Sequence, residues 1–218
     1  MYSVKEIFPT LQGEGAHTGR AAVFCRFSGC NLWSGREIDR NTSICQFCDT
    51  DFVGIDGING GKFATACELS KFINEIWLSM NKSSGRKFVV FTGGEPILQL
   101  DQALIDELHS IGFEVAVETN GTLSLPNNLD WVCVSPKLGS ELVVKQADEI
   151  KFVVPQIVNE SLIEEQLKRF EKMNFKHFFL QAKDDLNQAN NLALAISLCK
   201  KRPLWRLSIQ THKLLGID

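Results

Sequence analysis

Phe88-Val89-Val90-Phe91-Thr92-Gly93-Gly94-Glu95-Pro96 is a short apolar run that ends abruptly in a glycine pair, an acid and a proline. The run has the length of a strand, and glycine and proline punctuate its exit. Helical spacing lies on both sides of it. Leu69, Phe72, Ile73, Ile76, Trp77 and Met80 recur every three or four residues before the run. Leu104, Ile105, Leu108 and Ile111 do so after it, and Gly112 is placed to stop that helix. Further strand-like runs fall at Ala21 to Phe27, Phe113 to Val117, Trp131 to Val134, Ile150 to Val154, Phe178 to Leu180 and Leu204 to Ile209. Two more helical stripes read Leu162, Ile163, Leu167, Phe170, Met173 and Leu192, Ala195, Ile196, Cys199. Alternating strands and helices predict an α/β fold with right-handed crossovers and a mostly parallel sheet. The first twenty residues, with Gly13, Gly15 and Gly19, read as a loop between short strands.

Nearly every predicted strand runs into a polar cluster. Thr92 to Pro96 follows one, Glu118-Thr119-Asn120-Gly121 the next, and Ser135-Pro136-Lys137 a third. Gln181-Ala182-Lys183-Asp184 and Gln210-Thr211-His212-Lys213 follow later ones. Parallel sheets bind ligands at the carboxyl ends of their strands, so these clusters are expected on one face. An ordinary strand-to-helix turn would also explain Thr92 to Pro96. Two glycines, however, permit close backbone approach of a ligand, and Glu95 offers an acceptor to a cationic amine such as that of an amino-acid-like cofactor.

Cys30, Cys45 and Cys48 are spaced as Cys, fourteen residues, Cys, two residues, Cys. Thiolates select zinc, copper(I) or iron–sulfur clusters. A structural zinc site is closed by four protein ligands. Three thiols suggest instead a 4Fe–4S cluster with one iron open, although zinc with a borrowed histidine remains open on the thiols alone. Cys25, Cys67, Cys133 and Cys199 lie in apolar or helical runs and read as packing residues.

With 218 residues, 44% of them hydrophobic, the chain can bury one substantial core. A single domain over residues 1–218 is expected, with a cluster-binding loop at about residues 28–62. A net charge of -3 gives no support to a nucleic-acid surface. The start lacks an apolar signal core, and no apolar run approaches the ~18 residues of a membrane span. An odd cysteine count in a chain of this size speaks for a reduced, cytoplasmic protein. His17 and His212 are loop histidines and are not assigned acid–base roles.

The thiol trio, the turn at residues 92–96 and the order of the strands together resemble the radical S-adenosylmethionine superfamily. Within it, the fourteen-residue spacing and Leu11-Gln12-Gly13-Glu14-Gly15 resemble the 7-carboxy-7-deazaguanine synthases, over essentially the whole chain. The resemblance implies an incomplete (β/α) barrel. It implies a 4Fe–4S cluster on Cys30, Cys45 and Cys48, with S-adenosylmethionine chelated by the fourth iron. The implied reaction is that of a carbon–nitrogen lyase. A 5′-deoxyadenosyl radical abstracts hydrogen from 6-carboxy-5,6,7,8-tetrahydropterin, and ring contraction with loss of ammonia gives 7-carboxy-7-deazaguanine, a queuosine precursor. No side chain is then needed as catalyst. Thr50 would ligate Mg2+, and Leu11, Gln12, Gly13, Arg26, Thr92 and the C-terminal Asp218 would hold the pterin. Gly94, Glu95, Ser135, Pro136, Lys137, Gln181, Ala182, Lys183 and Asp184 would surround S-adenosylmethionine. An electron donor such as flavodoxin and a homodimer are also implied, with neither nucleic acid nor membrane as partner. The Gln181 segment departs from many relatives in lacking a proline after the glutamine. An alternative is a related radical enzyme acting on a protein, such as a glycyl-radical activase.

Overall fold

A computed structural model describes residues 1–80, 85–157 and 159–217. One nine-stranded sheet is built from β1 (Tyr2–Leu11), β2 (Ala21–Phe27), β3 (Gly61–Phe63), β4 (Lys87–Gly93), β5 (Phe113–Thr119), β6 (Trp131–Val134), β7 (Gln146–Val154), β8 (Asn174–Ala182) and β9 (Trp205–Ser208). Its order is β3-β1-β2-β4-β5-β6-β7-β8-β9. From β2 to β9 every pairing is parallel; β1 pairs antiparallel with both β2 and β3. β3 and β9 are the two edges, so the barrel is open.

The helices are α1 (Ala66–Met80), α2 (Gln102–Ser110), α3 (Glu160–Phe170), α4 (Gln188–Lys201) and the short α5 (Thr211–Leu215). α1 packs on β1, β2, β3 and α2; α2 packs on β5; α4 packs on β7, β8 and β9. α3 sets Phe170 edge-on against Phe152 of β7, with ring centroids 5.2 Å apart. The Asp101 carboxylate accepts from the Leu104 N–H at 3.0 Å and starts α2. Gly112, at φ +84°, turns the chain out of that helix in the left-handed region, as its place in the sequence predicts. Phe27, Phe88, Phe91, Phe152 and Phe170 are among the largest fully buried side chains.

Several expectations change. The first twenty residues are not mainly loop, because Tyr2–Leu11 is one long strand held by its ladder to β2. Leu162 is 44% exposed; the buried face of α3 is Ile163, Leu167 and Phe170, while Met173 packs on the core from beyond the helix end. In α4 the buried face is Asn191, Ala195 and Leu198, one step round from the expected stripe, which leaves Ile196 outside. The cluster after β9 is not loop throughout, since Thr211 to Lys213 open α5. No helix among the described residues is long and apolar enough to cross a membrane.

The β1–β2 loop matters most for the site. It ties to elements far from its own. Gly15 N–H donates to Ser208 Oγ at 3.1 Å, Ala16 N–H to Glu149 Oε2 at 2.9 Å, and Thr211 N–H to Gly13 O at 3.0 Å. The first loop is thus tied to β7, β9 and α5.

Candidate active site

The polar clusters at the strand ends converge. A cavity of about 410 Å³ is lined by Thr92, Gly93 and Gly94 at the end of β4, Thr119 and Asn120 at the end of β5, Ser135 and Lys137 after β6, Gln181 to Asp184 at the end of β8, and Gln210 after β9. Leu11, Gln12 and Gly13 line it from the β1–β2 loop, and Arg26 lines it from β2. Cys45, Cys48 and Thr50 complete its wall from the long loop between β2 and β3.

That loop is ordered by a small core of its own. Leu32, Trp33, Cys45 and Phe52 are buried together, with Cys30, Phe47 and Cys48 packed against them. The fourteen-residue stretch between the first two thiols contains a 3-10 turn at Glu37–Thr42. Arg40 of this turn lies over the Trp33 ring, 3.9 Å from its centroid, and donates to the carbonyls of Gln46 and Cys48 at 3.1 Å each. The insertion thereby fixes the backbone that carries Cys45 and Cys48. The Cys45 thiol donates to Cys48; this pulls the Cys48 thiol down to about 6 and pushes Cys45 up. Among the described residues no three His, Cys, Asp or Glu side chains converge on a single-ion site. An iron–sulfur cluster takes each thiolate on a separate iron. An apolar shelter with three thiols beside a cavity fits the cluster.

The turn after β4 abuts this loop. A Cβ on Gly94 would lie 2.3 Å from Gly29 O and 2.6 Å from Cys30 Cβ, so only glycine fits against the first thiol's segment. Glu95 is not the open acceptor expected. It is fully buried behind the wall, where it accepts from Thr119 Oγ1 and Asn120 N–H at 2.7 Å each and from Ile97 N–H at 3.0 Å. Burial raises its carboxyl pKa against the pull of these three donors. Glu95 therefore pins the end of β5 to the β4 turn. Glu95→Ala is expected to leave three buried donors unpaired and to lower unfolding free energy by about 2–4 kcal/mol in urea titrations.

Pro136 and Cys30 also sit behind the cavity lining; the Pro136 carbonyl accepts from Gln156 Nε2 at 2.9 Å. Lys137 Nζ donates to Ser135 O at 2.9 Å and to Ser135 Oγ at 2.7 Å, and burial lowers its pKa. The Gln181 segment, without its proline, is held from α4. Asn191 Nδ2 donates to Lys183 O and Asp185 Oδ1 at 2.9 Å each. Arg26 Nε donates to Glu6 Oε1 at 2.7 Å, while its two terminal nitrogens have no protein partner among the described residues. Thr50 lies between two engaged carboxylates: Asp49 is paired with Lys213 at 2.9 Å and Asp51 with Lys5 at 2.8 Å. Asp218 lies outside the described residues.

Sequence reasoning assigned no role to the charged interior. Glu14, Glu118 and Lys151 line the cavity, and Cys133 faces the charged side of the barrel beside Glu149 instead of an apolar layer. His212, left without a role, lies over Gly13 and lines the cavity as well. A signal was present: Glu149-Ile150-Lys151-Phe152 alternates charge and apolarity, and in the structure all four are buried.

No protein-family model matches the chain. Full-length relatives do. A protein named 7-carboxy-7-deazaguanine synthase from Bradyrhizobium diazoefficiens is 56% identical over 216 residues, covering 99% of both chains. One of the same name from Bacteroides thetaiotaomicron is 41% identical over 217 residues, covering 100% of this chain and 99% of the relative. The crystal structure of QueE from Escherichia coli superposes with a TM-score of 0.70 at 29% sequence identity, covering 96% of this chain and 93% of that one.

Proposed function

We infer the activity from one premise: the chain belongs to the 7-carboxy-7-deazaguanine synthase family. It is a radical S-adenosylmethionine lyase that converts 6-carboxy-5,6,7,8-tetrahydropterin to 7-carboxy-7-deazaguanine and ammonia. The observation that supports this most directly is the shared wall. Cys45 and Cys48 line the same cavity as Thr92, Gly93 and Gly94, and Cys30 sits directly behind that lining against Gly94.

When bound, a 4Fe–4S cluster and S-adenosylmethionine supply one-electron cleavage of the sulfonium and the hydrogen abstraction that starts ring contraction. The chain supplies geometry. Cys30, Cys45 and Cys48 hold the cluster in the shelter of Trp33 and Phe52. Gly94 gives the cofactor's amino-acid end close backbone approach, with Glu95 holding the turn from behind. Ser135, Pro136 and Lys137 and the segment Gln181, Ala182, Lys183 and Asp184 form its remaining surroundings. Leu11, Gln12, Gly13 and Thr92 bound the pterin, and Arg26 receives its carboxylate by charge-assisted pairing. Asp218 is kept as a substrate contact on resemblance alone.

We assign Mg2+ to the Thr50 hydroxyl. Magnesium often takes few protein ligands, and the flanking aspartates are already occupied by lysines. Thr50→Ala is expected to keep the cluster and its absorption but to remove most of the rise in turnover on adding magnesium. An unchanged magnesium titration would take Thr50 out of the site. We further propose one domain over the whole chain, a cytoplasmic setting, a flavodoxin-type donor and a homodimer. The dimer is supported by the open edge at β9, where Leu204, Leu207 and Ile209 are exposed, as are Leu214 and Leu215 of α5. The deciding assay combines anaerobic protein, reductant, S-adenosylmethionine and carboxytetrahydropterin. A filled cluster with no deazapurine formed would reject the substrate.

A further inference from the structure

A charged cluster inside the half-barrel is used by neither the thiols nor the glycine turn. Lys151 of β7 is 4% exposed. Its ammonium donates to Glu118 Oε2 of β5 at 3.0 Å and to Glu14 Oε2 of the β1–β2 loop. Gln181 Nε2 donates to Glu14 Oε1 at 3.0 Å, and Gln12 Nε2 donates to Glu118 Oε1 at 3.0 Å. The Gln12 side-chain oxygen Oε1 in turn accepts from Glu14 N–H at 3.0 Å. All five side chains border the cavity. Burial alone would lower the pKa of Lys151, but Glu118 and Glu14 outweigh it and the pKa is raised. Burial alone would raise that of Glu14, but Lys151 outweighs it and the carboxyl stays below its usual range.

We propose that Lys151 is a positioning residue for the pterin: set between Glu14 and Glu118, it holds both carboxylates, and through Glu118 the Gln12 amide, in the arrangement that presents acceptors to the donor-rich aminopyrimidinone edge of the ring. The inference rests on the pterin reading above. Two carboxylates against one ammonium leave a surplus of acceptors, and each carboxylate oxygen keeps a second lone pair after its protein contact. A ring edge carrying N–H and NH2 donors matches that surplus. Arg26 stands on β2, separated from β7 in the sheet by β4, β5 and β6. Carboxylate and ring edge are thereby received by different walls, which fixes the direction in which the substrate lies. Without Lys151 two like charges would share a dry wall, and one would protonate or swing away.

The test uses the full chain with reconstituted cluster. Lys151→Met is expected to raise the KM for carboxytetrahydropterin about 100-fold, while the dissociation constant for S-adenosylmethionine stays within about threefold. Lys151→Met with Glu118→Gln restores the original charge balance and should recover about tenfold of that KM. A merely structural lysine would lower thermal stability and S-adenosylmethionine affinity together, with no recovery in the double variant. Unchanged KM in Lys151→Met, or a double variant no better than the single one, would overturn the proposal. Should Lys151→Met not fold, Lys151→Gln, which keeps a hydrogen-bond donor, carries the same comparison. Wild-type protein with a filled cluster and no deazapurine would sink the substrate reading itself, a different outcome from product formation with Lys151 indifferent.

Discussion

Cys48→Ser is expected to give a folded, colourless and inactive protein. The side chain is half-buried, and serine differs from it by one atom, so the small core of Leu32, Trp33 and Phe52 should survive. What is lost is a soft ligand at the cavity wall. All acceleration that depends on the cofactor goes with it, so turnover should fall by at least about 10⁴-fold. Iron content after anaerobic reconstitution, and absorption near ~400 nm, check the ligand assignment directly. Cys67→Ser and Cys199→Ser serve as controls, because both thiols sit in helices away from the cavity. Full iron in Cys48→Ser would mean that another residue holds the third iron. Loss of iron in either control would mean that the wrong thiols were taken for spectators.

Arg26→Met should separate substrate binding from the rest of the site. Its Nε is engaged by Glu6, but the outer edge of the guanidinium borders the cavity without a protein partner among the described residues. A bidentate carboxylate contact of that kind contributes about 3 kcal/mol, or roughly 100-fold in kcat/KM. The loss should fall on KM for the pterin and leave S-adenosylmethionine binding unchanged. A fall in thermal stability with unaltered KM would instead make Arg26 a plain partner of Glu6.

How legible the site was differed from residue to residue. Cys30, Cys45 and Cys48 could be singled out as a ligand set because ligand spacing is a local property. Thr92 to Pro96 was readable because a strand that stops in two glycines and a proline declares its turn wherever it stands. Glu95 was misread in direction. Sequence shows that a carboxylate follows the glycines, yet which way it points depends on Thr119 and Asn120, which come from the next strand. The α3 and α4 stripes were slightly out of phase for a similar reason. Leu162 and Ile196 fit a helical period as well as their neighbours do, and only the surface beneath decides which of them is covered. Lys151 was missed because a charged residue in a strand normally marks a solvated face, while Glu14 and Glu118 were quoted within their clusters but given no role. Here the β1–β2 loop folds into the barrel and dries that face.

The order of residues alone determined the alternation of strands and helices, the polar strand ends, the thiol spacing and the family likeness. These depend on period, turn chemistry and ligand type, each carried within a few neighbouring positions. The tertiary structure alone decided three things: that β1 is one long antiparallel strand, that Glu95 turns inward, and that a lysine and two glutamates meet in the wall of the cavity. Each depends on contacts between segments distant in the chain, and burial reverses what such side chains do in water.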